Sequence, residues 1–328
     1  MSRTLTIRAV LLATAAAILS ACTGVDTPRP EQTAPSYVAM EAYSGRVLYS
    51  YAANERRPIG MLANVATAIV VLDWMQQQNI SMNTMLTVPV QVLSAPRTNL
   101  LRLSPGDSIS LRDALYSALM WDDSGCAITL AHACGSVLDR SDPIGAFTTQ
   151  MNVLARNTLG MKSTYFKGPS GSVISQSSAR DMVLLSLYAM DNATLRSICS
   201  QRGATLNVVH PNGTVSSKYV TNSNRLLAMG DSVEGIKAAR SASAGSCLMA
   251  SIRRASVKRN NPLTGIDSTY PQRMIIVMLG MQSPNQRYTL ANRFLRDGWA
   301  AWENWQTTSD VSDISKFIIL QDSKQKVR

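Results

Sequence analysis

Strand patterns in this chain fall at the two ends of its body, with a long helical block between them. Tyr37–Glu41 and Arg46–Tyr51 read as two strands around a tight turn at Tyr43-Ser44-Gly45, where glycine supplies the positive φ that a hairpin needs. From Leu62 to Met75 apolar residues recur almost all round, which predicts a buried helix. Leu111–Leu119, Ala127–Val137 and Gly145–Thr158 are amphipathic, and Leu159-Gly160 ends the last of them with a glycine at the expected C-terminal position. Asp181–Tyr188 predicts a further helix with Ser178 as its N-cap. Strand patterns return at Val233–Ala238, Cys247–Arg253 and Met274–Gly280, and residues 286–305 close the body as an amphipathic helix. Strands, helices, strands and a final helix cannot be a βαβ repeat array. The expectation is an α/β (α+β) fold: one five-stranded antiparallel sheet with the terminal helix on one face and the Leu62 helix on the other. A helical subdomain, at about residues 80–220, is inserted between the two halves of the sheet.

The 328 residues are ample for such a core, and a domain is predicted over 36–306. Ahead of it, Arg3 and Arg8 form a basic start to an apolar run too short to span a bilayer. The run ends in Leu19-Ser20-Ala21-Cys22, which is similar to a bacterial lipobox. This predicts a signal peptide over 1–21, lipid on Cys22, a Pro/Thr-rich tether over 22–35 and a tail over 307–328. The plainer alternative is a cleaved signal with an incidental cysteine. The expected place is the bacterial cell envelope, with the domain in the periplasm. Thr23 in place of Asp favours the outer membrane, by resemblance to enterobacterial lipoproteins.

Losing Arg3 and Arg8 with the leader takes the formal charge from +11 to +9, spread along the chain. No basic run is interleaved with aromatics, so nucleic acid is not an expected partner. With two histidines and no paired cysteine spacing, neither a metal site nor a cofactor is expected. Cys126, Cys134, Cys199 and Cys247 read as buried free thiols.

Several segments then carry a resemblance. Arg56-Arg57-Pro58-Ile59-Gly60 leads into the apolar helix. Leu159–Phe166 with Pro169-Ser170-Gly171 precedes Ser178-Ala179-Arg180-Asp181-Met182, and Asn222–Leu227 precedes Val233-Glu234-Gly235-Ile236-Lys237. In this order the chain resembles the low-molecular-mass D-alanyl-D-alanine carboxypeptidases, penicillin-binding proteins of the serine β-lactamase-like fold. That family works with three motifs. Where the resemblance implies Ser-x-x-Lys, with an amine that activates the hydroxyl, this chain has Met61 and Asn64. Where it implies Ser-x-Asn, the chain has Asp122-Asp123-Ser124. Where it implies Lys-Thr-Gly, the chain has Lys237-Ala238-Ala239, and a methyl stands where glycine permits close backbone approach.

The expectation is therefore a lipid-anchored, catalytically silent relative that binds peptidoglycan or a cell-wall enzyme. Lys237 and Asp122 are expected to pair across the old cleft, and Trp121 is a candidate contact. The competing expectation is a working hydrolase of peptidoglycan metabolism with a rearranged site, drawing on Ser124 and Asp122. A purely structural envelope lipoprotein is a third. Trp299, Trp302 and Trp305 form one helical stripe and are expected to pack on the sheet.

Overall fold

A computed structural model describes residues 36–95, 97–260 and 267–308. Cys22, the leader, the tether, and Phe317–Leu320 of the tail lie outside the described residues. The central sheet is antiparallel, with strands β1 (Ser36–Glu41), β2 (Val47–Tyr51), β3 (Val233–Ser241), β4 (Gly245–Asn260) and β5 (Asp267–Met281) in the spatial order β2-β1-β5-β4-β3. The five expected strands are present, and the last two are longer than their apolar patterns. Their outer halves carry Arg253, Arg254 and Lys258, whose charges hide a ladder that backbone pairing sustains.

Seven helices accompany the sheet: α1 (Ala63–Gln78), α2 (Leu111–Met120), α3 (Ser124–Leu138), α4 (Pro143–Val153), α5 (Ala179–Asp191), α6 (Ala193–Ser200) and α7 (Pro284–Thr308). Side-chain caps start most of them. Ser110 accepts from Asp113 N, Asp123 from Cys126 N, Asp142 from Gly145 N and Ser178 from Asp181 N. Helix α4 runs into one wider turn over Leu154–Thr158, and Gly160 follows at φ +66°.

The period of two along the strands divides the core. Tyr37, Ala39, Met274, Ile276 and Met278 face α7, where Phe294, Trp299 and Trp302 pack. The side chain of Trp305 lies outside the description. Val38, Met40, Ile275, Val277 and Leu279 face the helical subdomain. That second face is covered mainly by α5. Helix α1, expected there, reaches the sheet through its lead-in turn Gly60–Leu62 and otherwise runs among α2, α3, α4 and α5. This explains its nearly all-round burial, since helices enclose it on several sides.

The insertion is not wholly helical. Met85–Thr87, Ser108–Ser110, Gly203–Val209 and Val215–Thr221 form a four-stranded antiparallel sheet at its rim. Two of these strands are three residues long, too short to show alternation, and Val215–Thr221 is exposed at every residue but Val220 and carries no apolar stripe. All four cysteines of the domain are buried and free. Burial pushes the Cys134 and Cys199 thiols up to about 12 and Cys247 to about 11.

Candidate functional site

The three segments singled out in the sequence meet where the N-terminus of α1, the α2–α3 junction and β3 converge. Gly60, at φ +53°, turns the chain so that Met61 and Leu62 enter the core ahead of α1. Gly171 packs so closely on this turn that a Cβ there would stand 2.3 Å from Met61 N. Met61 is 4 % exposed, and its sulfur accepts from the Ser124 hydroxyl at 3.6 Å. One turn along, Asn64 is fully buried; its Nδ2 donates to Ala118 O at 2.8 Å, while Oδ1 has no hydrogen-bond partner.

Helix α2 ends at Met120, leaving carbonyls of its last turn without helical donors. The Lys237 ammonium meets them. Nζ donates to Leu119 O at 2.7 Å and Ala118 O at 3.1 Å, and stands 2.5 Å from Asp122 Oδ1. Its three protons thus have three oxygens to face, at the helix end where the dipole favours a cation. The Asp122 contact is an ion pair. Lys237 does not point to solvent: its side chain is fully buried, against 24 % exposure for Asp122. Asp122 itself adopts φ +63°, a left-handed conformation that aspartate tolerates better than most residues.

Asp123, next along, is a structural anchor. Its carboxylate accepts from Cys126 N, Leu101 N and Ser117 Oγ, tying the start of α3 to the loop between the rim strands Met85–Thr87 and Ser108–Ser110. Burial raises its carboxyl above the ordinary range, against these hydrogen bonds. Ala238 and Ala239 are buried on opposite faces of β3. Ala238 O accepts from Ser223 Oγ at 3.1 Å, and Ala239 O from the buried Arg287 of α7 at 2.8 Å. Trp121 is half-buried at the rim, with Lys218 Nζ 4.3 Å from its ring centre. Among the described residues no group of three potential metal ligands comes together.

The structure thus gathers Met61, Asn64, Asp122, Ser124 and Lys237 in one place. Sequence reasoning missed Arg287 and Tyr288, a pair that braces the strand carrying Lys237. Tyr288 Oη donates to Ser223 O, accepts from Arg225 N and from the Arg287 guanidinium, so α7 is stitched to β3 and to the segment that leads into it. Nothing local in the sequence marks an arginine whose partners are backbone carbonyls. A Ser-x-x-Lys spacing does occur at Ser323–Lys326, in the tail outside the described residues.

Residues 23–262 match the profile of the D-alanyl-D-alanine carboxypeptidases of peptidase family S11, and the chain belongs to that family. A D-alanyl-D-alanine carboxypeptidase of Streptomyces sp. strain K15 is 27 % identical over 252 residues, covering 74 % of this chain and 85 % of that protein. A D-alanyl-D-alanine endopeptidase of Pseudomonas aeruginosa is 30 % identical over 60 % of this chain and 59 % of its own length. The crystal structure of the Streptomyces K15 DD-transpeptidase superposes with a TM-score of 0.71 at 26 % identity, over 84 % of this chain and all of that one. The fold is that of the penicillin-binding DD-peptidases, a cell-wall family that acts on peptidoglycan. No helix among the described residues is long and apolar enough to cross a membrane.

Proposed function

We propose that this chain is a non-catalytic member of its family, held to the envelope membrane by lipid on Cys22 and acting by binding peptidoglycan. The observation that carries the proposal is the state of the Lys237 ammonium. Its partners are two main-chain carbonyls and the Asp122 carboxylate, its side chain is fully buried, and the nearby helix positions hold a thioether, an amide and a buried hydroxyl. A family mechanism needs a hydroxyl with a neighbouring base and a free cation for the substrate carboxylate. Met61 cannot form a stable acyl intermediate, Asn64 is no base, and Ser124 points at sulfur. The alternative of a working hydrolase with Ser124 as nucleophile lacks a base within reach of that hydroxyl.

On this reading the cleft has become core, and a ligand meets the rim. Trp121, with Lys218 over its ring, offers an apolar plate beside a cation where a cell-wall strand could lie. The test pairs two measurements on the mature protein. It should co-sediment with purified sacculi and release no D-alanine from a D-Ala-D-Ala pentapeptide. Catalytic release of D-alanine would overturn the silent reading, and failure to sediment would overturn the peptidoglycan one.

A further inference from the structure

Outside that cluster, the rim sheet carries a second constellation. His210 ends the strand Gly203–Val209; its Nδ1 lies 2.9 Å from Asp107 Oδ1 and its Nε2 2.7 Å from Ser216 Oγ, on the facing strand Val215–Thr221. A carboxylate only accepts, so in the neutral imidazole the proton sits on Nδ1, leaving the Nε2 lone pair to the Ser216 hydroxyl. That is the tautomer a serine nucleophile requires.

The arrangement is held from behind. Asp107 is 2 % exposed, its second oxygen accepts from Ser104 N at 2.8 Å, and its backbone oxygen accepts from Val88 N. The His210 backbone closes the hairpin, donating to Thr214 O and accepting from Gly213 N. Ser216, by contrast, is exposed.

The ladder supplies the remaining element. His210 N bonds Thr214 O at one end of this hairpin and Asn222 N bonds Arg202 O at the other, so the bonded pairs fall on even-numbered residues, Ser216 with Val208 among them. Ser217 therefore directs its N–H away from the neighbouring strand. Its strand is the outermost of the sheet, so this donor sits on an open edge, next in sequence to Ser216. A donor from the residue after the nucleophile is a common half of an oxyanion site.

We propose that Asp107, His210 and Ser216 form an ester-hydrolysing relay, independent of the family's own site. Ser216 Oγ bonds to the ester carbonyl carbon as its proton passes to His210 Nε2. The C–O bond then breaks and the alcohol leaves with that proton. Water, giving its proton to Nε2, attacks the acyl-serine; the acyl C–Oγ bond then breaks, Ser216 Oγ takes that proton back, and the acid is released. An ester fits better than an amide, because the site is open to water and presents one oxyanion donor, which suits a good leaving group.

The test treats the purified protein with a fluorophosphonate probe, which loses fluoride to a serine nucleophile, and maps the adduct by peptide mass. p-Nitrophenyl acetate turnover is followed alongside. The expected result is an adduct on Ser216, with Ser216→Ala and His210→Gln each lowering labelling and turnover at least about a hundredfold. Both residues are at or near the surface, and unchanged near-ultraviolet circular dichroism would confirm that the variants fold. Labelling no faster than in the heat-unfolded chain, or labelling that Ser216→Ala leaves unchanged, would overturn the relay. Those outcomes would leave His210 as a staple between the hairpin and the Asp107 turn.

Discussion

Lys237 shows how a fully buried ammonium can be satisfied at the end of a helix. Its ammonium caps the last turn of α2, shares Ala118 O with the Asn64 amide, and sits against Asp122. Lys237→Ala would strip Leu119 O of its ammonium donor, leave Ala118 O with the Asn64 amide alone and leave Asp122 without its cation. We expect a loss of about 3 kcal/mol, read by urea unfolding, because an orphaned buried partner costs more than the pair contributes. The same geometry bears on restoring the motif. Lysine at position 64 would bring a second ammonium to Ala118 O beside that of Lys237. Met61→Ser with Asn64→Lys should therefore be less stable than the parent and still fail to acquire covalent penicillin label, checked by melting temperature and a denaturing gel.

Elements carry the geometry that the residues inherit. The turn Gly60–Leu62 is pinned by Gly171 from a distant loop, where a Cβ would meet Gly60 C and Met61 N at 2.3 Å. Gly171→Ala should cost about 2 kcal/mol by overpacking against backbone that cannot yield, measured as a shifted denaturant midpoint at constant slope. Much at this scale was legible beforehand. The two-residue alternation in Tyr37–Glu41 and Met274–Gly280 reports a sheet packed on both faces, and Ser178 announces the start of α5. The rim sheet was hard to read: strands of three residues have no period and Val215–Thr221 has no apolar stripe, although Leu206 and Val208 alternate on the partner strand. That blindness also hid the Asp107–His210–Ser216 contacts, which join residues 103 apart in sequence through the same sheet. That Lys237 would lie near Asp122 was an expectation from the family resemblance, which says which elements meet. That Lys237 would cap a helix was not, since backbone carbonyls have no signature in sequence.

Across the whole molecule, buried acids set the response to pH. Burial raises Glu41 above its ordinary value despite hydrogen bonds from Ser44, Arg273 and Tyr43, and it raises Asp123 and Asp181 similarly. A folded state that holds its proton longer than the unfolded chain loses stability as pH rises from the ordinary carboxylate value through the raised one. Glu41→Gln removes that contribution. Its stability from urea titrations should fall less steeply than wild type across that window, and an unchanged slope would count against a raised Glu41.

The same molecule-wide view returns to the cluster joining sheet, α1 and the α2–α3 junction, which the proposed function reads as unable to take an acyl group. Incubating the purified domain with a fluorescent penicillin and running a denaturing gel tests this most directly. The account predicts no covalent label above that of the unfolded chain. A stoichiometric acyl adduct within the domain would contradict it.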